Sequence, residues 1–256
     1  MLLALDVGNT HTVLGAFDGS NLRANWRIAT STEATADELG VLLRALFAGD
    51  GIDPSGIEGI IVSSVVPDLD AVHRELARSR FDLEPLFVEP GVRTGVPILY
   101  DNPHEVGADR IVNAVAAVAR YGAPVIVLDF GTATTFDVVS PRGEYLGGVI
   151  APGLGISADA LFERAARLVR VDIRKPPRGV IGRNTMESIQ SGLFYGYAGL
   201  VEGIVARLRA ELDAPAPIVA TGGLARVFEG EIRSIDVVNP DLALEGLRLI
   251  WEKNTR

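Results

Sequence analysis

Apolar residues along the chain fall into two alternating textures. Short apolar runs bounded by Gly, Pro, Asp or Asn predict strands near 2–5, 13–17, 22–29, 57–66, 86–88, 125–130, 133–139, 144–150, 217–220 and 235–238. Between them, apolar residues three and four apart predict helices. The clearest are 35–47, with Leu39, Leu42, Leu43 and Leu46 on one face, and a helix from about 106, with Ile111, Val112, Val115 and Val118. Further helices are expected over 68–80, 156–169 and 241–252, the last turning Leu242, Leu244, Leu247 and Ile250 inward. Residues 172–183 read as a loop. Asn184-Thr185-Met186-Glu187 has capping-box spacing and opens a helix to about 212, roughly 43 Å long at 1.5 Å per residue. Gly192, Gly196 and Gly199 lie on one side of it. Each Gly costs a helix about 1 kcal/mol relative to Ala, so a second backbone is expected to pack there, from this chain or, the favoured reading, from another subunit.

The strands carry the chemistry at their ends. Leu2–Leu5 runs into Asp6-Val7-Gly8-Asn9-Thr10, and a second strand follows: a hairpin whose turn offers backbone N–H groups and the Asn9, Thr10 and Thr12 side chains to phosphate oxygens. Asp6 is placed to hold a hydrated Mg²⁺ against them. A plain polar hairpin would have the same pattern. Val125–Leu128 then repeats it, leading into Asp129-Phe130-Gly131-Thr132-Ala133-Thr134-Thr135. Two such turns, a little over 120 residues apart, predict two equivalent halves whose phosphate loops face across a cleft.

Other stretches leave a choice open. In Gly95–Arg110, two prolines exclude a helix before about 106, which puts Asp109 and Arg110 in the first helical turn. Asp there suits the helix dipole as well as a substrate site at a junction between halves. The glycines of Gly147–Gly155 predict close approach to a ligand or to a neighbouring strand. Thr221-Gly222-Gly223 is a strand running into a helix start whose backbone suits a flat ring or ribose, or a plain turn.

Composition narrows the chemistry. Forty-eight per cent hydrophobic and 22% charged residues describe an ordinary globular chain. A net charge of −9 argues against a nucleic-acid surface. The absence of Cys removes thiolate metal sites and disulfides, and suits the cytoplasm. The N-terminus lacks the basic region of a signal peptide, and no apolar run approaches the roughly 20 residues of a membrane span. Only two lysines occur, Lys175 and Lys253, neither in a Gly turn, so a P-loop is excluded. Any phosphate must be met by backbone N–H groups, Thr and Asn side chains, Arg or a metal.

Asp6–Thr10, Tyr100-Asp101-Asn102-Pro103, Gly107-Ala108-Asp109-Arg110, Asp129–Thr135 and Thr221-Gly222-Gly223, in this order, resemble the motifs of the type III pantothenate kinases, within the actin, heat-shock chaperone and sugar kinase superfamily. The resemblance implies an α/β fold of two ribonuclease-H-like domains, each a mixed sheet flanked by helices, here expected at 1–110 and 111–256. It implies ATP-dependent phosphorylation of pantothenate to 4′-phosphopantothenate, the first step towards coenzyme A. Asp109 would be the general base. ATP would be held by Asp6, Val7, Gly8, Asn9, Thr10, His11, Thr12, Val13 and Thr132, with Gly222 and Gly223. Tyr100, Gly107, Ala108, Arg110, Asn184 and Thr185 would bind pantothenate. Asp129 would hold K⁺ or NH₄⁺ beside the Mg²⁺ that accompanies ATP, and the protein would be a homodimer. The residues agree with this chemistry: Arg110 can fork onto a carboxylate, and Asp109 can accept a hydroxyl proton. Rival readings are a kinase of the same fold acting on a sugar or short acid, and a nucleotide-binding regulator without turnover. An actin- or chaperone-like ATPase is also considered, but 256 residues leave no room for its inserted subdomains.

Overall fold

The computed structural model describes residues 1–164, 170–176 and 178–255. It divides into two units, Met1–Ala116 with Asp241–Arg256, and Ala117–Pro240.

In the first unit, β1 (Leu2–Val7), β2 (His11–Asp18) and β3 (Asn21–Ala29) form an antiparallel meander. Helices α1 (Ala36–Gly49) and α2 (Asp70–Phe81) connect it to β4 (Gly59–Ser64) and β5 (Leu86–Phe87), both parallel to β1, in the order β3-β2-β1-β4-β5. Helix α1 starts at a capping box: Glu38 N donates to Thr35 Oγ1 at 3.2 Å and Thr35 N to Glu38 Oε2 at 2.9 Å. Leu3, Leu5, Val7, Leu14, Leu43, Phe47, Val62 and Leu76 form the core on one face of the sheet.

The other face is covered by α6 (Leu242–Thr255), which packs on β1, β2 and β4. The expected boundary at 110/111 groups this helix with the second half. The structure returns it to the first, because the sheet there is paved with small residues. Gly15 lies against Leu244 and Gly59 against the Trp251 ring. Helix α3 (Ala108–Tyr121) spans the expected boundary, and its residues through Ala116 belong to the first unit.

The second unit repeats the plan. Strands β6 (Val125–Phe130), β7 (Ala133–Val139) and β8 (Tyr145–Pro152) form a meander, and β9 (Ile218–Thr221) and β10 (Val237–Val238) add in parallel, giving β10-β9-β6-β7-β8. Read from the meander outward, the two orders are identical. This is the duplicated ribonuclease-H-like α/β architecture expected above. Helices α4 (Leu154–Arg164) and α5 (Thr185–Leu212) accompany this sheet, and the core holds Ile126, Leu128, Phe136, Phe194 and Val201. Phe228 stacks at 5.2 Å on Phe130 and 5.1 Å on Phe194.

Two details differ from expectation. Glu187 N donates to Asn184 Oδ1, but Glu187 Oε2 accepts from Arg183 N, one residue before the partner of a standard capping box. After Gly222-Gly223 the chain makes one 3₁₀ turn, Ala225–Val227, and no longer helix. Residues 165–169, expected to close α4, lie outside the described residues.

Gly246 of α6 passes so close to α3 that a Cβ there would stand 2.1 Å from the Val112 carbonyl oxygen. Gly246→Ala should therefore lower stability by about 3 kcal/mol through forced separation of the two helices, read as a shifted urea midpoint with an unchanged m-value.

Candidate active site

In the first unit the β1–β2 turn is held by Gly8 N donating to His11 O at 3.1 Å and by Thr30, which closes it from behind. Thr30 Oγ1 bonds the Gly8 carbonyl at 2.7 Å and Thr12 Oγ1 at 2.9 Å, and Thr30 N donates to Thr10 O. Asn9, Thr10 and His11 are exposed on this turn. Thr12 is not: it pairs with Val7, lies on the core side of β2 and is 4% exposed. Its side chain locks the turn and does not point out of it, which corrects the outward placement expected from the sequence. Nothing in the sequence singles out Thr30 among neighbouring Thr and Ser residues.

Asp6 lies on the opposite face of β1 from Val7, half-buried, opposite Val13 on β2 and Ser63 on β4. Its carboxyl is pushed up to about 7, first by burial and then by the negative charge of Asp109; the neighbouring buried Ser63 hydroxyl opposes this only weakly, since it makes no hydrogen bond of good geometry. Asp109, in the first turn of α3, is raised from the ordinary range by burial, against the opposing effect of the Arg110 N–H and guanidinium. Arg110 N donates to Asp109 Oδ1 at 2.8 Å. That oxygen folds back over Gly107, where a Cβ would stand only 2.5 Å from it. Gly107 thus leaves room for the carboxylate, and its carbonyl accepts from Arg110 N and Ile111 N to start the helix. Ahead of it, Asn102 caps the 3₁₀ turn Pro103–Glu105, and Tyr100 is half-buried. The first unit therefore brings Asp6, Asp109 and Ser63 together, with Gly107, Ala108 and Arg110 adjoining in sequence. Ser63 had a faint signal as a polar residue inside the apolar run 60–66.

In the second unit Asp129 occupies the place of Asp6, opposite Thr135 on β7 and Thr221 on β9. Gly222 has φ +90, and a Cβ there would lie 2.4 Å from Asp129 Oδ1, so only glycine suits this turn. Gly131 and Thr132 are exposed, backed by Gly153, whose N–H donates to Thr132 O at 3.1 Å. The choice left open for Gly147–Gly155 is resolved at two positions: Gly148 faces the Phe136 carbonyl and Gly153 the Thr132 carbonyl, both backbone neighbours. Gly223, Asn184 and Thr185 are exposed, the last two at the start of α5.

Among the described residues no group of three or more His, Cys, Asp and Glu could hold a metal. The donor set at Asp6, one carboxylate with a second nearby, suits an ion that keeps most of its water, as Mg²⁺ does when substrate phosphates complete its shell.

The family model for type III pantothenate kinase matches residues 2–207. The type III pantothenate kinase of Myxococcus xanthus is 57% identical over 254 residues, 99% of each chain, and that of Moorella thermoacetica is 54% identical over 255 residues, covering both chains completely. The chain belongs to the type III pantothenate kinase family. Among solved structures, a Campylobacter jejuni protein assigned to the Baf family of transcriptional activators aligns with TM-score 0.62 at 19% identity over 98% of both chains. An Arthrobacter inorganic polyphosphate/ATP-glucomannokinase aligns with TM-score 0.50 at 14% identity, again over 98% of both. These two establish the shared fold. The relatives align over 99% or more of the chain, so the likeness extends across both units.

The raised Asp6 carboxyl has a consequence for stability. An acid whose folded pKa exceeds its unfolded value stabilises the fold most when protonated, and that stability is lost as pH rises through the folded value, here between about 4 and about 7. Asp6→Asn removes the loss, so without nucleotide or metal it should unfold at a higher temperature than the parent at pH 8 and at an equal one near pH 4. The gain at pH 8 should be on the order of 2 kcal/mol, discounted from about 1.4 kcal/mol per unit because the side chain is only half-buried. Thermal unfolding of both proteins across this pH range measures it.

Proposed function

We propose that this chain transfers the γ-phosphoryl group of ATP to the primary hydroxyl of pantothenate, forming 4′-phosphopantothenate on the way to coenzyme A. The observation that carries the reading is the meeting of two carboxylates in the first unit, one beside a Gly turn and one at the start of a helix. Phosphoryl transfer needs in-line positioning and neutralisation of spread negative charge more than covalent help. Asp109 is suited to the acceptor end. Its Oδ1 is committed to the Arg110 N–H, which leaves Oδ2 to orient the alcohol and take its proton. A carboxyl raised by burial is a better base near neutral pH than an ordinary one.

On this reading the turn from Asp6 to Val13, braced from behind by the buried Thr12 side chain, and Thr132 hold the phosphates, Gly222 and Gly223 approach the nucleoside, and Tyr100, Gly107, Ala108, Arg110, Asn184 and Thr185 bind pantothenate. Mg²⁺, when bound near Asp6, supplies charge neutralisation to the phosphates. Asp129, bordered by the hydroxyl residues Thr135 and Thr221, suits K⁺ or NH₄⁺. A homodimer through α5 is supported by its glycine face: Gly192, Gly196 and Gly199 are exposed, and, beyond the local backbone of α5 itself, no atom of the described residues comes within 4 Å of where their Cβ atoms would stand. A cytoplasmic location belongs to the same proposal. No helix among the described residues is long and apolar enough to cross a membrane.

Purified protein with ATP, Mg²⁺, K⁺ and pantothenate should give phosphopantothenate by mass spectrometry; turnover of a sugar or other hydroxy acid in its place would overturn the substrate assignment. Asp109→Asn should lower kcat about 10²- to 10⁴-fold with an unchanged circular dichroism spectrum, and near-parental turnover would remove Asp109 as the base. Gly196→Leu should convert a dimer to a monomer in light scattering, whereas a dimer that survives it does not use this face.

A further inference from the structure

The duplicated sheet makes each half a control for the other. Asp6 and Asp129 end equivalent central strands, each with one partner on the antiparallel neighbour and one on the parallel neighbour. For Asp6 these are Val13 and Ser63; for Asp129 they are Thr135 and Thr221. Two residues further along, β2 has Gly15 where β7 has Asp137, facing Ala4 and Val127 in equivalent register. Cross-strand partners share a face with Cβ atoms about 5 Å apart. Asp129 therefore has oxygen-bearing neighbours on both sides, whereas Asp6 has a hydrocarbon on one.

The Thr135 hydroxyl is held in one sense. Its Oγ1 donates to Asp137 Oδ2 at 3.0 Å, while Asp137 Oδ1 accepts from the Tyr145 hydroxyl at 2.7 Å. Asp137 and Tyr145 are both fully buried. A buried carboxylate is costly unless hydroxyls or amides satisfy it, and Asp137 has no part in the proposed transfer. A hydroxyl carries one proton. With that proton committed to Asp137, Thr135 presents only lone pairs to Asp129, itself an acceptor. A cation lodged between the two would meet oxygen lone pairs from both strands.

We propose that Thr135 Oγ1 is a second oxygen ligand, beside the Asp129 carboxylate, of a weakly hydrated monovalent cation, and that Asp137 and Tyr145 are positioning residues that keep its lone pairs available. The proposal rests on the assignment of a cation to Asp129. It also accounts for the division between the halves: a K⁺-sized ion exchanges its water for several protein oxygens, whereas the sparser surroundings of Asp6 suit a metal that keeps its water.

The test uses the full chain without substrates, following thermal unfolding against KCl at constant ionic strength balanced with NaCl. The parent should be stabilised by K⁺ over Na⁺. Thr135→Val, which installs the residue the first half carries at Val13, should raise the K⁺ concentration for half-maximal stabilisation by about tenfold or more. Thr135→Ser should leave it within about twofold, since the hydroxyl remains. Asp137→Asn should also raise it. A merely structural role for Asp137 would lower the unfolding temperature at every salt concentration and leave that midpoint unmoved. Should Thr135→Val keep the parental midpoint while Asp129→Asn abolishes the response, Thr135 is no ligand and the Asp129 assignment stands. Should Asp129→Asn keep the response, or the parent show none, the Asp129 assignment fails and this proposal with it.

Discussion

A carboxylate at the end of a buried central strand is the constraint from which the site follows. Leu3, Ala4 and Leu5 on β1 are almost wholly buried, as are Val127 and Leu128 on β6, and each run ends on aspartate before a Gly turn. A charge in that position loses much of its water, and burial is the largest influence on the Asp6 carboxyl. The second largest is another carboxylate, Asp109, delivered by a different element. Two acids that hinder each other's ionisation favour whatever neutralises them, a proton or a cation. The fold spends stability on this arrangement, as functional sites commonly do.

Glycine makes the arrangement sterically possible. At Gly107 and Gly222 the neighbour that would meet a Cβ is an aspartate oxygen, Asp109 Oδ1 at 2.5 Å and Asp129 Oδ1 at 2.4 Å. These glycines seat carboxylates against backbone, which limits where those carboxylates can point. On the proposed reading the same two glycines also approach ligands, which is compatible with their seating of acids.

Much of this was legible in the sequence because it is local. Strand runs, the amphipathic face of α1 and the two Asp-x-Gly turns depend on residues within a few positions of one another, and the repeated motif announced the duplicated fold. What was hidden depends on register or on packing between distant elements. Thr12 turns inward because Val7 and Thr12 pair across the turn, a register the turn residues alone do not set. Helix α6 joins the first sheet because Gly15 and Gly59 there admit Leu244 and Trp251, contacts more than 190 residues apart in the chain. The approach of Asp109 to Asp6, and the chain from Tyr145 through Asp137 to Thr135, are of the same through-space kind.

The missing lysines give these features a common logic. Lys175 is paired with Glu231, and Lys253 lies beside Gly95, so neither Asp-x-Gly turn has one. A protein of net charge −9 that places aspartates at both turns cannot attract a triphosphate with its own side chains there. On the proposed reading the positive charge must come from bound ions, and the two halves divide that work by what borders each aspartate: valine and serine in one, two threonines in the other. The duplicated fold presents the same strand end twice, and on that reading the few side chains that differ around each aspartate would set which cation each copy prefers.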